Sequence, residues 1–96
     1  MKLLIFGAKW CPGCRIMEPR IEEIKNEFAW LKTEEIDAEE KKELTEKYGV
    51  AELPTFVFVD EGGNEMDKLT GIVPKDKIVE LVLKNRLSAT LKVENS

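Results

Sequence analysis

The sequence predicts an α/β protein, three layers deep, of order β-α-β-α-β-β-α on a four-stranded mixed sheet with strands in the order 2-1-3-4. Three observations carry that reading. The apolar run Leu3-Leu4-Ile5-Phe6 suits a strand buried on both faces, as in the middle of a sheet. A helical pattern and a second strand-like stretch follow it, and a strand-helix-strand unit of this size implies a parallel pair with a right-handed crossover. Thr55-Phe56-Val57-Phe58-Val59 then meets the turn Asp60-Glu61-Gly62-Gly63-Asn64 and returns, which makes the last two strands antiparallel.

The elements follow in order. Residues 2 to 7 are the first strand, and its C-terminal end faces the first helix, expected from Pro12 to Phe28. Pro12 suits a first helical turn because its missing N–H has no intrahelical partner there. Ile16, Met17, Ile21, Ile24 and Phe28 fall near helical spacing as the inward face. Pro19 lies inside that pattern and removes a backbone bond, so a kink is expected. Trp30 to Asp37 reads as the second strand, with polar residues that imply one poorly covered face. Asp37 is placed as the cap of a helix over Ala38 to Tyr48, ended by Gly49. Glu65 to Thr70 is the returning strand, Gly71 ends it, and Pro74 opens a helix to Leu87 with Ile78, Leu81 and Val82 inward. Residues 1–87 therefore read as one domain. Residues 88–96 read as a tail that frays or adds a short edge strand through Leu91 and Val93.

Composition excludes several function classes. The net charge is -4, with no basic footprint for phosphates, so no nucleic-acid role is expected. No apolar run approaches the roughly 20 residues of a membrane helix. Met1 to Phe6 does not read as an export signal, because the run stops at Gly7 and Lys9 with no cleavage-type sequence. The expected setting is cytoplasmic, where thiols stay reduced and a lone cysteine pair is more often catalytic than structural.

The chain has two cysteines, both in Trp10-Cys11-Pro12-Gly13-Cys14. Two thiols three positions apart at the start of a helix read as a thiol-disulfide redox site. The thiolate is the nucleophile, and unpaired N–H groups with the positive end of the helix dipole stabilise it at Cys11. Lys9 and Arg15 are candidates to add to that effect. Cys14, one turn along, is the resolving thiol that closes a disulfide after Cys11 attacks. No metal, nucleotide or flavin is needed. Structural zinc requires four ligands, and there is no histidine and no second cysteine pair.

With those residues in place, the chain resembles the thioredoxin superfamily. Ala8-Lys9-Trp10-Cys11-Pro12-Gly13-Cys14 is similar to its Ala-x-Trp-Cys-x-x-Cys segment, and Pro19 matches its helix proline. Leu53-Pro54-Thr55 is similar to its Ile-Pro-Thr, and Gly71 to the glycine flanking its substrate groove. The resemblance implies a thioredoxin-like fold, a cis Leu53-Pro54 bond, and an apolar docking groove framed by Trp10, Pro12, Gly13, Leu53, Pro54, Gly71 and Ile72. It implies a monomeric enzyme that reduces protein disulfides, with a thioredoxin reductase or glutathione as electron donor. A glutaredoxin-like, glutathione-dependent enzyme and a non-enzymatic partner-binding protein are the alternatives.

Three departures accompany the resemblance. The sequence starts at the family's second strand, without the usual first strand and helix, so in extent it resembles a glutaredoxin. Ile5 stands where thioredoxins place a buried aspartate and Thr33 where its lysine partner falls, which leaves Cys14 to be deprotonated through water or Cys11. The dipeptide is Pro-Gly instead of Gly-Pro.

Overall fold

A computed structural model describes residues 1–94, with side chains to Arg86. β1 (Lys2–Gly7) lies between β2 (Lys32–Asp37), which runs parallel to it, and β3 (Thr55–Val59), which runs antiparallel. β4 (Glu65–Thr70) completes the sheet as the antiparallel neighbour of β3, giving the order β2-β1-β3-β4. The three helices are α1 (Pro12–Glu27), α2 (Lys42–Lys47) and α3 (Lys75–Glu94).

Side chains alternate along the strands and so divide the core in two. Leu3, Phe56 and Phe58 pack with Met17, Ile21 and Ile24 of α1 and with Ile78 and Val82 of α3. Leu4, Phe6, Ile36, Val57 and Val59 face the other way, where Tyr48 and the partly buried Leu44, Val50 and Leu53 cover them. β3 is buried at all five positions, as its apolar run requires, whereas in β2 only Ile36 is buried. β2 and β4 are the two edge strands among the described residues, and the polar side chains of β2 meet solvent.

Three boundaries and one side-chain placement differ from the sequence reading. Trp30 and Leu31 precede β2, because Leu31 N–H closes a turn onto Phe28 C=O at 2.9 Å and the Trp30 ring packs edge-on against Phe28. α2 is shorter than expected. The Asp37 carboxylate accepts the N–H groups of Glu39 (2.9 Å) and Glu40 (3.3 Å), which closes a turn of its own instead of capping a helix. α3 continues to Glu94, so residues 88–94 are helical and not an edge strand; that stretch holds no Gly or Pro to stop a helix. The part of the tail reading that falls on Asn95 and Ser96 lies outside the described residues. Finally, Ile16 is 47% exposed, since a helix turns about 100° per residue and Met17 takes the inward position beside it.

Candidate active site: the Cys11–Cys14 pair and its groove

The end of β1 delivers Gly7, Ala8 and Lys9 to a tight turn in which Cys11 N–H bonds Ala8 C=O at 3.2 Å. Cys11 is the N-cap of α1 with extended backbone, and Pro12 occupies the first helical turn. Helix geometry then returns Cys14 to Cys11. Their Cα atoms are 5.3 Å apart and their sulfurs are joined in a disulfide. Cys14 N–H, one of the helix's unpaired donors, points at Cys11 Sγ at 3.2 Å. That donor and the dipole behind it favour negative charge on Cys11 Sγ once the pair is reduced.

Cys11 is almost wholly buried and Cys14 half-buried. Space for Cys14 comes from Gly7: a Cβ there would lie 3.1 Å from Cys14 Sγ. Behind Cys14 lies a cavity of about 340 Å³, walled by Ile5, Gly7, Pro54 and Phe56 and edged by Glu18, Glu35 and Asp37. Ile5 thus stands on the cavity wall, with Glu35 as its register partner on β2.

The Leu53–Pro54 peptide is cis, and Pro54 is buried against the helix start. A Cβ on Gly13 would meet Pro54 Cδ at 3.1 Å and Ile72 Cγ1 at 3.4 Å, so the missing side chain is what lets α1 approach both. Gly71 holds φ +86°, a left-handed conformation that side chains resist, and its N–H bonds Pro54 C=O at 2.7 Å. Ile72 follows, 54% exposed. Across the cysteines Trp10 is 65% exposed, its indole Nε1 donating to a Glu39 carboxylate oxygen. Pro12 is exposed beside it, and Leu53 is half-buried on the wall of a second hollow of about 500 Å³ that it shares with Trp10 and Thr45.

Lys9 and Arg15 are both exposed. Lys9 lines the cavity behind Cys14, and among the described residues neither cation bonds a sulfur. Three participants escaped the sequence reading: Gly7, Glu39 and Arg20, whose guanidinium Nη1 donates to Val73 C=O at 2.7 Å. Gly7 was visible only as the end of an apolar run. No local signal marks Glu39 or Arg20, because their partners are remote in sequence. Among the described residues no three His, Cys, Asp or Glu side chains gather closely enough to hold a metal ion.

The thioredoxin family model matches residues 1–84. The chain belongs to the thioredoxin family. It is 35% identical over 83 residues to an H-type thioredoxin of Oryza sativa subsp. indica, covering 86% of this chain and 66% of the relative. With the thioredoxin of Bacillus subtilis (strain 168) the identity is 36% over 81 residues, 83% of this chain and 77% of the relative. The crystal structure of thioredoxin NaTrxh from Nicotiana alata superposes with a TM-score of 0.78 at 29% identity, over 85% of this chain and 70% of that one. The chain thus spans just under two thirds of the rice relative's length.

Proposed function

We propose that this thioredoxin-family chain is a thiol-disulfide oxidoreductase that reduces protein disulfides, with Cys11 as nucleophile and Cys14 as resolving thiol. One observation carries the proposal: two sulfurs bonded at a helix N-terminus, with a backbone N–H on Cys11 Sγ, beside a groove edged by exposed apolar side chains. An electron donor first reduces the pair, adding two electrons and two protons. Cys11 thiolate then attacks one sulfur of the substrate disulfide, forms a mixed disulfide and releases the other substrate sulfur as a thiolate, which takes up a proton. Cys14 attacks Cys11 Sγ, re-forms the disulfide and releases the second substrate thiol.

The groove reading assigns docking to Trp10, Pro12, Gly13, Leu53, Pro54, Gly71 and Ile72, and leaves Lys9 and Arg15 to modulate the charge nearby. The supporting geometry is the close approach of Gly13, Pro54 and Ile72 on one side and exposed Trp10 on the other. The proposed donor is a thioredoxin reductase, in line with the family; the glutathione alternative is not favoured. The reading places a monomer in the cytoplasm, where a donor system keeps such a dithiol reduced. No described helix is long and apolar enough to cross a membrane.

The test is reduction of insulin with dithiothreitol. The wild-type protein is expected to accelerate it, Cys11→Ser to abolish the acceleration, and Cys14→Ser to accumulate the mixed disulfide. A wild-type protein without effect overturns the proposal. Turnover with glutathione but none with NADPH and a thioredoxin reductase reverses the choice of donor.

A further inference from the structure

Gly71, Ile72 and Val73 form the far side of the groove, and this short segment is pinned at both ends. Gly71 N–H bonds Pro54 C=O at 2.7 Å, which ties the segment to the start of β3. Val73 C=O accepts from Arg20 Nη1 at 2.7 Å, which ties it to α1, the helix that carries the cysteines. Arg20 Nη1 also lies 3.6 Å from Met17 Sδ, a side chain buried in the core, so the guanidinium is braced on its own helix. Ile72 sits between the two pins with its side chain over Gly13.

We infer that Arg20 is a positioning residue that holds the Ile72 segment against the cysteine helix, and so fixes the wall of the groove on which an extended protein disulfide docks. The inference rests on the oxidoreductase reading above. It follows from geometry: the second pin ties the segment that carries Ile72 directly to the cysteine helix, and a charged donor on a half-buried carbonyl is stronger than a neutral one. A small disulfide that reaches Cys11 without filling the groove does not depend on where that wall stands.

The experiment compares wild-type and Arg20→Met protein on insulin and on a small aromatic disulfide, 5,5′-dithiobis(2-nitrobenzoate). For insulin, Arg20→Met is expected to raise KM about tenfold with kcat within about twofold, the scale of one charge-assisted hydrogen bond. The rate with the small disulfide stays within about twofold of wild type, and Arg20→Lys recovers part of the insulin KM. Hydrogen exchange at the Gly71 amide is expected to quicken in Arg20→Met while β3 amides hold. In an Ile72→Ala background, Arg20→Met adds less than about twofold to the insulin KM, because both act through one wall. If Arg20→Met does not fold, Arg20→Lys is carried through the same cycle.

Equal losses on both substrates, no loss on either, an unchanged Gly71 amide, or full additivity with Ile72→Ala each overturn this inference alone. A wild-type protein that leaves insulin unreduced overturns the oxidoreductase reading, and this inference with it.

Discussion

The two faces of the sheet are built to different thickness. On one, α1 and α3 lie over Leu3, Phe56 and Phe58 in a shared apolar cluster, and Lys75 adds an ionic link between them, binding Glu27 and, at 3.2 Å, Glu23. On the other, six-residue α2 and the loop before Pro54 cover Leu4, Phe6, Val57 and Val59. The cysteines belong to the thick face. Their helix is clamped to the sheet by its apolar stripe, to the groove by Arg20 and to α3 by Lys75. The thin face contributes Leu53 and, through Glu39, the bond that orients Trp10. The contrast teaches that the disulfide hangs on the well-packed side, whereas the rim of the proposed groove borrows from the lightly covered one.

Neighbouring residues on β3 offer the strongest test of that contrast. Phe56 and Val57 are both fully buried but point to opposite faces. Phe56→Ala is expected to cost about 3–5 kcal/mol in urea unfolding. It also slows mixed-disulfide resolution, because Phe56 walls the cavity behind Cys14. Val57→Ala is expected to cost about 2 kcal/mol and to leave turnover of the folded protein unchanged. Turnover lost equally in both would break the comparison.

Gly13→Ala probes the closest packing on the thick side. The added methyl lies within 3.1 Å of Pro54 Cδ, so α1 or the proline must shift. The expected loss is about 1–2 kcal/mol of stability together with a several-fold rise in insulin KM. On the thin side, Tyr48→Phe removes the hydroxyl that donates to Gly63 C=O at 2.6 Å. Denaturant midpoints should report about 1 kcal/mol, with insulin kinetics unmoved.

The smallest effect concerns the exposed link between α1 and α3. Hydrogen bonds to Glu27 and then Glu23, opposed by some desolvation, hold the Lys75 ammonium above its ordinary range. A raised folded-state value means the contribution is fully present below the unfolded value, about 10.4, and is lost as pH rises through the folded one. Lys75→Met should therefore flatten a slight fall in stability at alkaline pH, seen by comparing thermal midpoints at pH 8 and above pH 10.

Much of the fold is legible along the chain because its signals are local. The Leu3–Phe6 and Thr55–Val59 runs, the turn at Asp60 to Asn64 and the glycines at 49 and 71 each act within a few residues. The boundaries read wrongly are those where local options compete. Asp37 can cap a helix or close its own turn, and only the surrounding chain selects the turn. Ile16 and Met17 both fit an apolar stripe, and the orientation of α1 on the sheet decides between them.

For the site, the two cysteines at helical spacing and the Pro12 that starts α1 were chemistry written in sequence. The apolar residues proposed for the groove came through the resemblance, and the structure brings Gly13, Pro54 and Ile72 among them together. What the tertiary structure alone decided is proximity between distant segments: Gly7 making room for Cys14, Gly13 against Pro54 and Ile72, Glu39 on Trp10, and Arg20 on Val73. Apart from Gly7 and Cys14, which are seven positions apart, those contacts span 29 to 59 positions of chain, which no local pattern encodes. They exist because burying two apolar faces on one sheet brings the end of β1, the start of β3 and the loop after β4 to the same end of the molecule.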